Sequence, residues 1–106
     1  MGSSLDDLRS FPDDAKQDMG FQLEQVQFGL TPDDWKPLRE VGRGAREIRV
    51  RMPSGAYRTV YVTQFDDAVY VLHCFVKKSQ KTSKKDIAIA ARRYRDAKQL
   101  SEMRSD

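Results

Sequence analysis

The chain has 106 residues, 39% of them hydrophobic and 33% charged, with a formal net charge of +3, which fits one small domain that buries a single core without disulfides or a structural metal. No run approaches the roughly 18 apolar residues of a membrane span, and no basic segment followed by an apolar one opens the chain, so the cytoplasm is the expected compartment and no membrane partner is expected. One cysteine, Cys74, and one histidine, His73, exclude an internal disulfide and any zinc-type ligand spacing.

Ser3 or Ser4 can cap a short helix carrying Leu5 and Leu8, with Asp6 and Asp7 in its first turn. Pro12 suits the first turn of a second helix over about 12–28. Its Ala15, Met19, Leu23 and Val26 recur at spacings of three and four, which predicts one buried stripe, and Gly29 ends it. Thr31-Pro-Asp-Asp-Trp35 reads as a capped single turn that buries Trp35, and about 37–44 as a loop. Three strands follow, at about 46–52, 57–64 and 69–77, joined by Pro53–Ala56 and by Phe65-Asp-Asp-Ala68, short enough for antiparallel hairpins. A final helix starts near Thr82 or Ser83 and runs to about Ser101, with Ile87, Ala90, Ala91, Tyr94, Ala97 and Leu100 as its apolar stripe. The expected fold is a single small α+β domain over residues 1–106: two N-terminal helices, a three-stranded antiparallel meander and a C-terminal helix, with the helices on one sheet face. Such a sheet leaves an edge open, and no strand ahead of the first helix is there to cover it.

The cations carry the functional signal. Residues 1–35 hold eight acids against Arg9 and Lys16, a net of −6, which leaves +9 for the rest of a chain whose total is +3. Arg49 and Arg51 lie two apart, so on a strand they share a face, while Ile48, Val50 and Met52 take the other. Arg46 precedes them on the same strand, Arg58 opens the next, and Lys77 and Lys78 close the third. In a meander these positions converge, and guanidinium forks match phosphate oxygens two at a time. Such a cluster would grip a phosphodiester and neutralise charge developing in a phosphoryl transition state. The plain alternative is solubilising charge on an exposed sheet face. His73 and Cys74 lie in an apolar strand and read as packed residues, and Lys81, Lys84 and Lys85 continue the basic run beyond it.

Ser4-Leu-Asp-Asp-Leu8, Phe11-Pro12, Gly29-Leu-Thr-Pro-Asp-Asp-Trp-Lys36, Gly44-Ala-Arg-Glu-Ile-Arg-Val50, Tyr57-Arg58 and Phe75-Val-Lys-Lys-Ser-Gln-Lys-Thr82 resemble the RelE/ParE superfamily of bacterial toxins, particularly its HigB-like, phage-related branch. The resemblance spans nearly the whole chain. It implies a RelE-like domain, although the N-terminal strand typical of the family has no counterpart here. It also implies a toxin that cleaves messenger RNA on the ribosome and is silenced by a cognate antitoxin, a helix-turn-helix protein in HigB-like pairs. By this comparison Arg58 would hold the scissile phosphate, Lys78 would stabilise charge on the phosphate or leaving group, and Arg49 or Arg51 would stand where RelE-like enzymes use lysine. Arg46, Arg51, Lys77, Lys81, Lys84 and Lys85 would bind RNA or ribosome. Arginine, with a pKa above about 12, is a poor general base, and the tyrosine of RelE-like enzymes after the last strand is replaced by Lys84 or a neighbour, so the resemblance identifies no proton acceptor.

The expected activity is therefore a ribosome-dependent endoribonuclease. It would need no metal or other cofactor, because arginines and lysines supply the charge that Mg²⁺ supplies elsewhere. Two alternatives are a ParE-like module that poisons DNA gyrase without nuclease chemistry, and an inactive homologue that only binds an antitoxin.

Overall fold

The computed structural model describes residues 4–65, 68–77 and 81–104. In chain order the elements are α1 (Ser4–Arg9), α2 (Asp13–Gln27), β1 (Trp35–Pro37), β2 (Arg46–Met52), β3 (Gly55–Val62), β4 (Tyr70–Lys77) and α3 (Lys84–Arg104). Lys78, and the acids Asp66 and Asp67 expected in the last hairpin turn, lie outside the described residues. Among those described, no helix is long and apolar enough to cross a membrane.

The helices end where the sequence punctuates them. Pro12, with φ −55°, leads into α2, its fixed φ suiting a helix start. At the other end Gly29 takes φ +81°, where a side chain would be strained. The Leu30 amide then donates to the Gln25 carbonyl at 2.8 Å and the Gly29 amide to that of Val26 at 3.0 Å, closing α2 in a Schellman turn. Ser83 caps α3: its Oγ accepts from the Asp86 amide at 3.1 Å and donates to Asp86 Oδ2 at 2.7 Å.

The α+β class holds, but the sheet has four strands, ordered β1-β2-β3-β4 and antiparallel throughout. The added strand is β1, in the segment read from sequence as a turn and loop. Trp35 pairs with Ile48, Lys36 with Glu47 and Pro37 with Arg46, and the Arg49 amide donates to the Asp34 carbonyl at 2.9 Å. Trp35 is half-buried, its ring 4.2 Å from the Arg46 guanidinium carbon. This strand, short and closed by a proline that cannot donate, covers the β2 edge.

A second expectation is corrected: the helices cover both faces of the sheet. On one face Ala15, Met19, Leu23 and Val26 of α2 join Ile48, Val50, Tyr57, Tyr61 and Cys74 in one core. On the other, Ala90 and Ala97 of α3 pack with Val60, Val62 and Leu72. The reason lies in β3, which is apolar at both parities and is buried from Tyr57 to Val62, as a strand covered on two sides must be. A register irregularity at Val60/Tyr61 skips Leu72 in the pairing with β4, and Leu72 lies in the α3-side core.

Candidate functional site

Strand register builds the site. Across the sheet face that carries α3, three rows of side chains follow from the pairing. Lys36, Glu47, Val60 and His73 form the first; Arg49, Arg58 and Phe75 the second; Arg51, Ala56 and Lys77 the third. The apolar part of this face lies beneath α3. Arg51 is exposed, whereas Arg49, Lys36 and Lys77 are half-exposed.

Arg49 stands directly opposite Arg58, a like-charge pairing that destabilises a sheet unless each charge has its own partner. Both have one. Arg49 binds Asp34 Oδ1 through Nε at 2.9 Å and Nη2 at 2.6 Å. Arg58 Nε lies 2.9 Å from Glu47 Oε1, with side-chain exposures of 4% and 0%. That contact is an ion pair without hydrogen-bond alignment, and neither atom has a hydrogen-bond partner among the described residues. Glu47 Oε2 accepts from Thr82 Oγ1 at 2.7 Å and faces Lys36 Nζ at 3.9 Å. Arg58 Nη1 donates to the Tyr57 carbonyl at 3.2 Å. Burial pushes the Arg58 guanidinium below its ordinary pKa, Glu47 pulls it back up, and Arg49 and Arg51 add to the downward push. The Lys77 amine is also lowered, first by burial and then by Arg58 and Lys36. Cations that disfavour one another's charge mark a local excess of positive potential, the condition an anionic ligand relieves.

Beyond Lys77 a cleft of about 290 Å³ is lined by Phe75, Val76, Lys77, Lys81, Ser83, Lys85 and Asp86. The fold therefore brings Arg49, Arg51, Arg58 and Lys77 to one sheet face, Arg58 buried within it and the others reaching solvent, with Lys81 and Lys85 at its margin. Arg46 does not join them: it has the parity of Ile48, stacks on Trp35, and stands opposite Tyr61 on the other sheet face. Lys84 is exposed on the first turn of α3 and lines no part of the cleft. Glu47, Asp34, Lys36 and Thr82 were not singled out from sequence. Glu47 had a signal, since an acid two residues before Arg49 shares its parity and meets its cations.

The remaining reactive side chains are tied into the fold. His73 is buried, its Nε2 at 2.8 Å from Asp86 Oδ1 and its ring stacked on Phe75 at 4.9 Å between centroids. Burial pushes the Cys74 thiol up to about 11, far from the thiolate a nucleophile requires. Among the described residues no group of three or more His, Cys, Asp or Glu could hold a metal ion.

The family model described as phage-derived protein Gp49-like (DUF891) matches residues 6–95. That span begins in α1 and ends within α3, so it takes in the whole sheet and every residue of the cationic face. Curated proteins gave no match.

Proposed function

The chain belongs to the phage-derived Gp49-like family, which is RelE-like and toxin-like, and from that premise we propose that it is the HigB-type toxin of a bacterial toxin–antitoxin pair, cutting messenger RNA on the ribosome. The 2′-hydroxyl attacks the adjacent phosphorus, the bond to the 5′-oxygen breaks, and the products are a cyclic phosphate and a free 5′-hydroxyl. The proton leaves the 2′-oxygen and one is returned to the 5′-oxygen. What supports this reading is the convergence of Arg49, Arg51, Arg58 and Lys77 on one sheet face at the mouth of a lysine-lined cleft.

In this reading Arg49, Arg51 and Lys77 grip the phosphodiester and compensate the charge that builds on it in flight. Arg58 acts from behind them, its position fixed by Glu47. Lys78 follows directly on the strand and completes the catalytic set with Arg49 and Arg58. The Lys77 amine, pushed down by burial and by the neighbouring Arg58 and Lys36, stands among cations whose mutual repulsion a bound phosphate relieves. The ribosome orients the strand and supplies much of the rate.

Purified protein incubated with free RNA and with programmed ribosomes tests the reading. Cleavage is expected on ribosomes and weak or absent on free RNA. Efficient cutting of free RNA contradicts ribosome dependence, and no cutting on either contradicts the nuclease.

One observation favours a second reading, a module that binds without cutting. Arg58 and Arg49 both already have carboxylate partners, so part of the charge is neutralised within the protein. A ParE-like gyrase poison or an antitoxin-binding homologue needs only the surface. Intact messages with induction of a DNA-damage response would mark the former.

A further inference from the structure

On the opposite side of the sheet from the cationic face, α2 presents an outward face that the core does not use. Met19, Leu23 and Val26 point inward, whereas Phe21 and Phe28 are 56% and 76% exposed. A spacing of seven residues puts the two rings on one side of the helix, about 10.5 Å apart along its axis. Single exposed apolar residues need no explanation, but aligned aromatic rings do. Beyond the helix, Leu30 is 60% exposed and borders a cleft of about 310 Å³ shared with Val26 and Val69.

The charged residues of this face carry one sign, with the neutral Gln17 among them. Asp18 and Glu24 flank Phe21, three residues before and after it, Asp14 lies two turns before it on the same side, and Asp13 stands at the margin. Lys16, the one cation of α2, has its ammonium 3.6 Å from Asp13. Two aromatic anchors within an acidic border repel nucleic acid and anionic membrane alike. They also repel a second copy docked through the same face. We propose that the outward face of α2 docks a partner protein through a cationic amphipathic helix, whose apolar side chains two turns apart meet Phe21 and Phe28 while its lysines or arginines meet Asp14, Asp18 and Glu24. This surface lies on the other side of the sheet from Arg49, Arg51 and Lys77, so the partner and an anionic ligand can be held together. The inference stands independently of any nuclease activity.

The test is a nuclear magnetic resonance titration of the full chain with a leucine–lysine peptide patterned as an amphipathic helix of about five turns. Its controls are a scrambled peptide of the same composition and a leucine–glutamate peptide of the same pattern. The patterned cationic peptide is expected to shift amides between Asp14 and Leu30 and to bind at least about tenfold more tightly than either control. The double variant Phe21→Ser, Phe28→Ser is expected to lose at least about tenfold in affinity with no fall in melting temperature, since both rings are exposed. Shifts confined to other surfaces, equal binding of a control, or unchanged affinity of the variant would overturn the proposal. So would self-association of the free chain that the double variant abolishes, which would identify a second copy as the occupant.

Discussion

Arg58 is the residue at which sequence and structure pull hardest against each other. Read from the chain alone, its charge is available to a ligand; in the fold it is 3% exposed and faces a fully buried carboxylate. Removing one partner of such a pair strands the other charge, so Arg58→Ala is expected to destabilise the protein by about 3–5 kcal/mol. Replacing both charges by apolar side chains of similar volume (Arg58→Met with Glu47→Leu) is expected to restore most of that loss. Urea melts of the three proteins check both statements. A double variant that folds but no longer inhibits growth places Arg58 in the chemistry, and one that folds and remains toxic confines it to the scaffold. Cys74 gives a cleaner readout. Its thiol, at about 11 against an ordinary 9.0, ionises later in the folded chain than in the unfolded one. Its contribution is therefore complete below about pH 9 and is lost as pH rises toward 11, roughly 2–3 kcal/mol in all. Tyr61, raised by burial, adds a loss of the same sign. Urea midpoints across that range are expected to fall less steeply in Cys74→Ala. The buried state of Cys74 was legible from its apolar neighbours, whereas the Glu47–Arg58 pair was not, because it depends on the register of two strands and on a burial that only α3 and Thr82 complete.

Among the elements, the loop between β1 and β2 is coupled to α3 through Tyr94. The Tyr94 hydroxyl donates to the Arg43 carbonyl at 2.8 Å, and its ring packs edge-on against Phe65 at 5.3 Å. Gly42 lies against that ring so closely that an added Cβ would fall 2.5 Å from its carbons. Gly42→Ala is therefore expected to push the half-buried Tyr94 ring aside, at the expense of its bond to Arg43, and to cost about 1–3 kcal/mol; thermal melts measure it, and Tyr94→Leu in the same background should recover part of the loss. The helices and the three long strands could be read in advance because each carries a full periodic stripe and clear punctuation. Strand β1 could not, because Trp35-Lys-Pro37 is three residues long and contains a proline, so its strand character comes only from β2 beside it. The two-sided burial was half legible: Val60 and Val62 alternate with Tyr57, Thr59 and Tyr61, a pattern that fits a strand with a polar face as readily as one with two apolar faces until α3 is seen to claim the valines.

At the scale of the molecule, charge is divided between two surfaces. The acidic first third of the chain forms α1, α2 and the turn that follows, whereas Arg49, Arg51, Lys77, Lys81 and Lys85 of the basic remainder lie on or beside the opposite sheet face. A surface of that kind is steered toward polyanions over distances set by the Debye length, about 8 Å at physiological salt, with the acidic side turned away. The central claim is that this surface cuts translated messenger RNA, and the most direct measurement is the mapping of RNA 5′ ends after induced expression in a bacterial host. New 5′-hydroxyl ends in frame within translated messages, lost when Arg51 and Lys77 are both changed to glutamate at unchanged melting temperature, are the expected result. Growth inhibition with messages left intact would contradict it.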